Sequence, residues 1–300
     1  MNTITKTSDV KTVSPPLEFT NDEAAGISQE SINFSFGGNW KKYFTKIEEP
    51  TIRRAEKSFT DFTRFANLDG QTFLDVGCGS GLSSLIAYRL GAKRIVSVDI
   101  DPNSIDCATA LRTRFAGQTS QWDIVPGSAL DPDFPSAVGK FSYVYSWGVL
   151  HHTGAMWKAI ENVISCVEPG GKLHIALYNA HKNSERWLTI KRLCNRFPRT
   201  IFPILKFLYE VLAYVRLVAR FQSPLGFLRE YRERRGMDFR RDTEDWLGGL
   251  PYEYCKPDQV VDFLSDRGFV LSRLRTSKST GCNEFLFINT RKVSPDSLSK

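Results

Sequence analysis

The sequence predicts an α/β protein whose core is a doubly wound, mostly parallel β-sheet. From Thr72 onward, short apolar runs rich in β-branched residues alternate with helix-like stretches, which is the pattern of successive βα units. Three glycines follow the first apolar run in "FLDVGCGSGLSSL" (73–85), at the point where a strand turns into a helix in Rossmann-like folds. Two strand-like runs, 270–276 and 284–290, come last. We therefore expect a Rossmann-like seven-stranded sheet that ends in an antiparallel hairpin.

Each element has a local signal. Strands are expected where apolar and β-branched residues run together, and Pro102 marks the start of the helix after the second strand. Thr153 is the expected N-cap of the helix after the fourth strand, and Pro169-Gly170-Gly171 is expected to end that helix. The predicted strands are 72–76, 94–98, 122–125, 141–146, 172–178, 270–276 and 284–290, and the predicted helices are 82–90, 103–115, 155–167 and 256–269.

The chain divides into four parts by composition. Residues 1–30 are polar and show no apolar periodicity, which predicts a loose tail. Residues 31–68 predict an N-terminal helical cap. The sheet domain is expected at 69–180 and 251–292, and the segment 181–250, which lacks a strand signal, predicts a helical insertion. An insertion after the fifth strand returns to the carboxyl edge of the sheet, where such folds bind ligands, so we expect a lid.

The net charge of +7 is concentrated in the insertion. Between His181 and Arg241, fifteen Lys and Arg accompany five Asp and Glu, a local net charge of +10 against −3 for the rest. Such a segment is either a solvated helical face or an attraction for an anionic substrate, RNA or a lipid surface. The apolar run 201–221 has too many charges for a membrane span, namely Lys206, Glu210, Arg216 and Arg220.

Cysteine usage indicates the compartment. The six cysteines are scattered, without a CxxC pair or a histidine at metal-ligand spacing, which favours a reducing cytoplasm. The N-terminus shows no basic start followed by an apolar core, so we expect no signal peptide. A cytoplasmic protein is therefore expected, with peripheral membrane contact through 201–221 as a further option. The sequence does not indicate an oligomeric state.

The glycine loop indicates the ligand of the sheet. Gly77, Gly79 and Gly81 form GxGxG, and glycines allow positive φ and close backbone approach. Asp75 precedes them, and its carboxylate would repel a pyrophosphate but attract a cation. Asp99 ends the second strand about 20 residues after the loop, where a carboxylate accepts both ribose hydroxyls of an adenosine. The pattern favours S-adenosylmethionine, which carries an ammonium and a sulfonium and no phosphate.

Asp99 has a neighbour of the same type. We prefer Asp99 over Asp101 as the ribose ligand because it directly follows the last apolar residue of the strand. Capping of the next helix is the alternative role for Asp99.

Five blocks in order make the sequence resemble the class I S-adenosylmethionine-dependent methyltransferases. The resemblance covers 73–179 strongly and 256–290 by pattern. "SWGVLHHT" is similar to the branch that acts on small molecules such as quinone precursors, sugars and secondary metabolites, and the Asn-Pro-Pro-Tyr-type motif of amide- and adenine-methylating relatives is absent. The blocks are "LDVGCGSG", "VDID", "GSALD" (127–131), "SWGVLHHT" (146–153) and "EPGG" (168–171).

The resemblance implies a cofactor role for each matched position. Relatives typically carry an acid where Ser128 stands, so a serine oxygen would replace a carboxylate at the adenine. The implied contacts are Asp75, Gly77, Gly79 and Gly81 for the methionine end, Asp99 for the ribose, Ile100, Ser128 and Ala129 for the adenine, and Ser146 with Trp147 for the amino-acid portion.

Candidate bases lie at the ends of the fourth and fifth strands. His151 and His152 follow the fourth strand, and Tyr178 ends the fifth; imidazole has a suitable pKa for taking a proton from a hydroxyl. Adjacent residues of an extended loop point in opposite directions, so at most one histidine is expected to face the substrate. Packing or backbone hydrogen bonding stays open for all three. No carboxylate stands at Ser146-Trp147-Gly148, so we predict no metal.

The expected enzyme is therefore an S-adenosylmethionine-dependent O-methyltransferase of a small apolar, aromatic or glycosylated acceptor, including a lipid-linked one. The apolar helix of 201–221 is expected to dock over the active site. The alternatives are an RNA- or protein-directed methyltransferase that uses the basic insertion, and a non-catalytic S-adenosylmethionine-binding protein. Nucleic acid is not favoured, because no aromatic-interleaved basic stripe is present.

Overall fold

A computed structural model of the chain describes residues 47–224, 226–228, 231 and 239–291. The predicted tail (1–30), the first part of the predicted cap (31–46) and an arginine cluster at 232–235 lie outside the described residues.

The strands form one seven-stranded sheet of the expected class. The described strands are β1 (Thr72–Val76), β2 (Arg94–Asp99), β3 (Trp122–Pro126), β4 (Phe141–Trp147), β5 (Val167–Tyr178), β6 (Phe269–Arg275) and β7 (Cys282–Asn289). Their order is β3-β2-β1-β4-β5-β7-β6. The first five pair in parallel, and β7 is antiparallel to both β5 and β6. The expected doubly wound sheet with a C-terminal hairpin is confirmed.

Helices connect the strands and form the insertion. The described α-helices are α1 (Glu49–Thr63), α2 (Leu82–Arg89), α3 (Pro102–Phe115), α4 (Phe134–Val138), α5 (Met156–Ser165), α6 (Ser184–Arg196), α7 (Ile201–Ala219), α8 (Phe239–Gly248) and α9 (Pro257–Ser265). A 3₁₀ turn covers Leu150–His152.

Two apolar layers cover the sheet, one on each face. One layer packs strand residues such as Val144 against Ile160 of α5 and Val260 of α9. The other packs Phe73 and its neighbours against Phe59 of α1 and the helix α2. Each fully buried large apolar side chain contributes about 1.5–3 kcal/mol. The sheet is thereby fixed, and its carboxyl edge presents loops at defined positions.

The start of β5 differs from the sequence prediction. Pro169-Gly170-Gly171 was expected to end the preceding helix, but β5 already begins at Val167, beside Phe141 of β4. A Cβ on Gly171 would lie 2.8 Å from the Glu168 carbonyl oxygen and 3.1 Å from that of Ser142. The glycine therefore permits close approach of two strands and does not act as a helix stop.

A buried polar chain crosses the sheet under α1. The Tyr143 hydroxyl lies 2.9 Å from Nδ1 of His174, whose Nε2 lies 2.9 Å from a carboxylate oxygen of Glu284. Arg275 donates to the other carboxylate oxygen. Burial lowers the pKa of His174, so the ring stays neutral. With Nε2–H donating to Glu284, Nδ1 accepts from Tyr143, and each polar group is satisfied.

The insertion contains α6, α7 and α8, which contact one another. The side of α7 that faces α8 carries Lys206, which pairs with Glu244, and Glu210, which lies 3.7 Å from Arg240. The opposite side of α7 is apolar and exposed. Docking of this apolar face over the active site is not seen among the described residues, and the other expected option, peripheral membrane contact through 201–221, stays a prediction. Among the described helices, none is long and apolar enough to cross a membrane.

Candidate cofactor and acceptor site

The glycine loop leaves β1 in a conformation that favours glycine. Gly77, Gly79 and Gly81 have φ of 74°, 53° and 78°, the left-handed region. The N–H groups of Gly77 and Cys78 donate to the carbonyl oxygen of Val98. The helix α2 begins directly after Gly81, so its free N–H groups point at the loop and favour a negatively charged ligand group there.

Asp99 lies at the end of β2 with its carboxylate beside this loop. One carboxylate oxygen accepts from the N–H of Gly79 at 2.8 Å, and the other accepts from the N–H of Asp101 at 2.9 Å. A carboxylate has about four acceptor positions, so the carboxylate can still accept from a ribose hydroxyl. Burial raises its pKa, and the two N–H donors oppose that shift.

The neighbours of Asp99 have separate tasks. Asp101 caps α3 by accepting from the N–H of Asn103 at 2.8 Å, so the alternative role proposed for Asp99 belongs to Asp101. Ile100 is 72% exposed, which leaves an apolar side chain beside the carboxylate for an adenine ring. These positions fit the adenosine part of S-adenosylmethionine.

Asp75 lies beneath the loop and is fully buried. Its carboxylate accepts from the hydroxyl of Ser84 at 2.7 Å, and Ser84 lies 2.6 Å from the Ser97 hydroxyl. Trp122 donates its indole N–H to Ser97. Because the Ser84 proton goes to Asp75, Ser97 donates to Ser84, and the chain of donors runs from Trp122 to the carboxylate. Burial raises the pKa of Asp75 to about 7, so a cation in the loop above would stabilise the carboxylate form.

The remaining predicted cofactor positions lie at the ends of β3 and β4. The Ser128 hydroxyl accepts from the N–H of Leu130 at 3.2 Å, and Ala129 is buried. Ser146 is buried and donates to the carbonyl oxygen of Val76 at 2.9 Å, which ties β4 to β1. Trp147 is 49% exposed and offers an indole surface at the same edge. Their contacts with the cofactor stay predictions.

The β4 loop packs directly on the glycine loop. A Cβ on Gly77 would lie 2.4 Å from the side chain of Val149, so the missing side chain lets the two loops touch. Val149 leads straight into the 3₁₀ turn that carries His151 and His152. The turn corrects the expectation of an extended loop, because the two rings do not diverge: their centroids are 4.5 Å apart.

His151 is buried and bonded to backbone. Its Nδ1 accepts from the N–H of Tyr178 at 3.3 Å, and burial lowers its pKa well below the usual value. The ring centroids of His151 and Tyr178 are 3.9 Å apart. His151 therefore holds the end of β5 against the β4 loop, the role left open as its alternative.

His152 has a defined tautomer. Its Nδ1 lies 2.6 Å from the carbonyl oxygen of Pro251 and must donate to it, so the lone pair of the neutral ring is on Nε2. Burial and the nearby Lys191 lower its pKa to about 4. The ring is thus neutral at physiological pH and can accept a proton, but the lowered pKa makes it a weaker base than an ordinary imidazole.

Lys191 and Trp246 of the insertion and Tyr252, which follows it, pack around His151, His152 and Tyr178. We call these six residues the histidine–aromatic cluster. The Lys191 amine is buried, donates to the carbonyl oxygen of Trp246, and lies 4.4 Å from the Trp246 ring centroid and 4.9 Å from that of Tyr252. Burial lowers the pKa of Lys191 to about 7. Sequence reasoning missed Lys191, Trp246 and Tyr252; only the aromatic run "DWLGGLPYEY" gave a signal.

The Tyr252 hydroxyl has no hydrogen bond of normal geometry among the described residues, although it is buried. Burial raises its pKa, and the nearby Ser184 hydroxyl opposes that shift. A buried hydroxyl without a full partner costs free energy.

The exit from the insertion is bonded to both strand ends. Glu253 donates its N–H to the carbonyl oxygen of His151, and its carboxylate accepts from the N–H of Met156 at 3.0 Å. Glu253 thus caps α5, where Thr153 was expected; Thr153 instead donates to the carbonyl oxygen of Leu150. Cys255 donates its N–H to the carbonyl oxygen of Tyr178. The insertion therefore returns across the two strand ends that carry the candidate bases.

In the part of the chain that the structure describes, no three His, Cys, Asp or Glu side chains gather as a metal site would require. Reaction without a metal stays a prediction.

Comparisons with known proteins find a methyltransferase domain in part of the chain. Residues 74–173 match the family model described as "Methyltransferase domain". The "tRNA U34 carboxymethyltransferase" of Methylococcus capsulatus is 34% identical over 109 residues, 36% of this chain and 32% of the relative. The protein of the same description from Campylobacter curvus is 25% identical over 166 residues, 54% of each chain. The matched segments thus span about a third to a half of these relatives.

Among solved structures, PKMT2 from Rickettsia typhi in complex with AdoHcy is similar in fold, with a TM-score of 0.53 and 15% identity. The match covers 85% of this chain and 56% of that one. The expected methyltransferase resemblance is confirmed for the matched domain.

Proposed function

We propose that this protein, whose residues 74–173 match the family model described as "Methyltransferase domain", uses S-adenosylmethionine to methylate a hydroxyl group of a small apolar, aromatic or glycosylated acceptor. The observation that carries the proposal is the direct contact between the cofactor loop and the turn that bears the histidines, through Gly77 and Val149. The aromatic surfaces of half-buried Tyr178 and Trp246 and of buried Tyr252 suit an apolar acceptor better than a free amino acid.

S-Adenosylmethionine, the cofactor of this family, supplies an electrophilic methyl group on a sulfonium when bound. The chain's own contribution is alignment in a site that excludes water. Asp99 and the glycine loop would hold the cofactor, and the cluster would hold the acceptor. His152 would take the proton of the acceptor hydroxyl at Nε2, while Pro251 holds the other ring nitrogen.

Cofactor binding has a matched pair of variants. Asp99→Asn should weaken S-adenosylmethionine binding about 10- to 100-fold, since hydrogen bonds to a charged group contribute about 1.5–3 kcal/mol. Asp101→Asn should bind normally, because asparagine caps a helix as well as aspartate does. Isothermal titration calorimetry measures both. Equal affinity for S-adenosylmethionine in the Asp99 variant and the unmodified protein would show that Asp99 does not bind the ribose.

The base assignment has its own test. His152→Gln should lower kcat by about 10²–10⁴ while affinity for S-adenosylmethionine is kept. Because the pKa of His152 is lowered to about 4, the ring stays neutral from pH 6 to 8, and kcat should not fall across that range on its account. An unchanged kcat in the His152 variant would show that this residue is not the general base.

The acceptor class is found by label transfer. The protein is incubated with methyl-labelled S-adenosylmethionine and a cell extract, and label is followed into lipid, saccharide, RNA and protein fractions. Label in small molecules or lipid supports the proposal, and label in RNA or protein refutes the acceptor class.

A second candidate is an RNA-directed methyltransferase. The relatives described as tRNA U34 carboxymethyltransferases and the local charge of +10 between His181 and Arg241 favour it. RNA binding would weaken steeply between low and moderate salt, because released counterions drive it. Binding of a buried small acceptor would change little over the same range.

A further inference from the structure

The outward side of α7 carries apolar side chains that stand exposed in the part of the chain that the structure describes, and we call it the α7 apolar face. Seven large apolar side chains on it are each 37–64% exposed. They recur at the three- and four-residue spacing of a single helical stripe. The helix has 19 residues, about 28 Å at 1.5 Å per residue. The members are Ile204, Phe207, Leu208, Val211, Leu212, Val215 and Val218.

The helix is held in this orientation by its polar side. Lys206 pairs with Glu244 of α8, and Glu210 lies near both Lys206 and Arg240. Tyr209 packs on Trp187 of α6, with ring centroids 5.9 Å apart. Rotation of α7 by about half a turn around its axis would expose these side chains and break the ion pairs. The apolar face therefore points outward as the stable arrangement.

The charges near the ends of α7 indicate which kind of surface binds the α7 apolar face. Exposed arginines stand at both ends of the helix: Arg196 and Arg199 before its start, and Arg216 and Arg220 at its end. The acid of α7 is Glu210, which faces inward with a side-chain exposure of 13%. A second copy packed on this face would bring arginines together without an acid of the helix to pair with them. An anionic lipid surface offers both an apolar layer and negative headgroups for long side chains to reach.

We infer that α7 is an interfacial helix that binds this protein to an anionic lipid surface through the α7 apolar face. The helix lies in the plane of the surface, with its apolar side chains at the acyl boundary and the terminal arginines among the headgroups. Lys191 of α6 and Trp246 of α8 belong to the histidine–aromatic cluster, and both helices contact α7. The cluster would thus be one helical layer from the lipid. The inference does not depend on the proposed methyl transfer.

Vesicle sedimentation tests the inference. The full chain is mixed with vesicles of phosphatidylcholine alone, or of phosphatidylcholine with phosphatidylglycerol. We expect sedimentation with the anionic vesicles, and a loss of affinity of roughly tenfold or more in the double variant Phe207→Ser, Leu212→Ser. The matched control is Val270→Ser, Leu274→Ser, which removes similarly exposed apolar side chains from β6 and should bind normally.

The arginines are tested separately. Arg216→Gln, Arg220→Gln should weaken binding several-fold and make it less sensitive to salt, since each basic side chain near the surface adds attraction to anionic lipid. Circular dichroism and urea unfolding confirm that each variant folds, which is expected because the changed side chains are exposed.

Three outcomes overturn the inference. One is absence of binding to either vesicle type by the unmodified protein, and another is an equal loss in the β6 control. The third is a concentration-dependent dimer in sedimentation velocity that Phe207→Ser, Leu212→Ser dissociates, because a second copy would then cover the face. Loss of methyl transfer with retained vesicle binding would bear on the proposed function alone.

Discussion

Replacement of Lys191 by methionine tests the electrostatics of the histidine–aromatic cluster. The Lys191 side chain is fully buried, and its amine contacts the Trp246 carbonyl oxygen and two aromatic rings. Methionine has a similar length and no charge, so the variant keeps the apolar packing. It removes the cost of burying an ammonium group and also loses the bond to the carbonyl oxygen.

The expected magnitude follows from the pKa of Lys191, which burial lowers from 10.5 to about 7. At about 1.4 kcal/mol for each pKa unit, this shift destabilises the folded protein at pH 7 by about 4 kcal/mol relative to a lysine that keeps its ordinary pKa. The methionine variant avoids this cost, but loss of the hydrogen bond to the Trp246 carbonyl oxygen destabilises it by about 1–3 kcal/mol. Lys191→Met should therefore raise the free energy of unfolding at pH 7 by about 1–3 kcal/mol.

The sign of the pH dependence is fixed by proton binding. Between pH 7 and 10.5 the unfolded chain keeps the Lys191 proton and the folded chain does not, so the unmodified protein gains stability as pH rises. The advantage of the methionine variant should shrink by about 2 kcal/mol between pH 7 and 9. Urea unfolding followed by tryptophan fluorescence at pH 7, 8 and 9 measures it.

The control is Lys182→Met, which removes an exposed lysine just before α6. It reports the general effect of replacing a lysine by methionine at an exposed position. A constant difference between Lys191→Met and the unmodified protein from pH 7 to 9 would show that the folded protein keeps a charged amine, and would refute the reasoning. A variant that is less stable at pH 7 would show that the carbonyl bond outweighs the burial cost.

Two further predictions concern buried polar chains. Ser84→Ala removes the donor to Asp75 and should destabilise the protein by about 1–3 kcal/mol at pH 8. Since the pKa of Asp75 is raised to about 7, the carboxyl is protonated at pH 5 and the effect should be smaller there; urea unfolding at both values measures it. Tyr143→Phe removes the donor to Nδ1 of His174 and should cost about 1–3 kcal/mol with an unchanged m-value.

The contrary results differ for the two variants. An effect of Ser84→Ala that is equal at pH 5 and pH 8 would mean that the carboxylate charge of Asp75 is not what the serine stabilises. A neutral Tyr143→Phe variant would mean that His174 does not accept from the tyrosine.

Local signals explain why the sheet could be predicted. Runs such as "RIVSV" (94–98) combine β-branched residues with burial on both faces, a requirement of inner parallel strands that little else in the sequence satisfies. The glycine loop was equally readable, because a positive φ excludes most other residue types. Asp99 followed from its position at a strand end. These features depend on neighbours along the chain.

The acceptor side depends on contacts distant in sequence. The tautomer of His152 is set by Pro251, and the cap of α5 is supplied by Glu253 and not by Thr153. Lys191 carries no local signal, since burial lowers its pKa and the rings of Trp246 and Tyr252 that its amine contacts are distant in sequence. Single-sequence patterns do not encode such pairings. The sequence therefore indicated the two histidines and the tyrosine but not the insertion residues that surround them.

The orientation of α7 shows a limit of a different kind. Helical periodicity identifies which residues share a face, and at 100° per residue Lys206 and Glu210 lie on one side of α7. It does not say which side is covered, and the apolar side of α7 is exposed among the described residues. Glu244 and Arg240 of α8 bind the polar side. The sequence of α7 alone does not indicate that these residues are its partners. Because this pairing leaves the apolar stripe outward, lipid binding, and not closure over the active site, is the property of α7 to measure first.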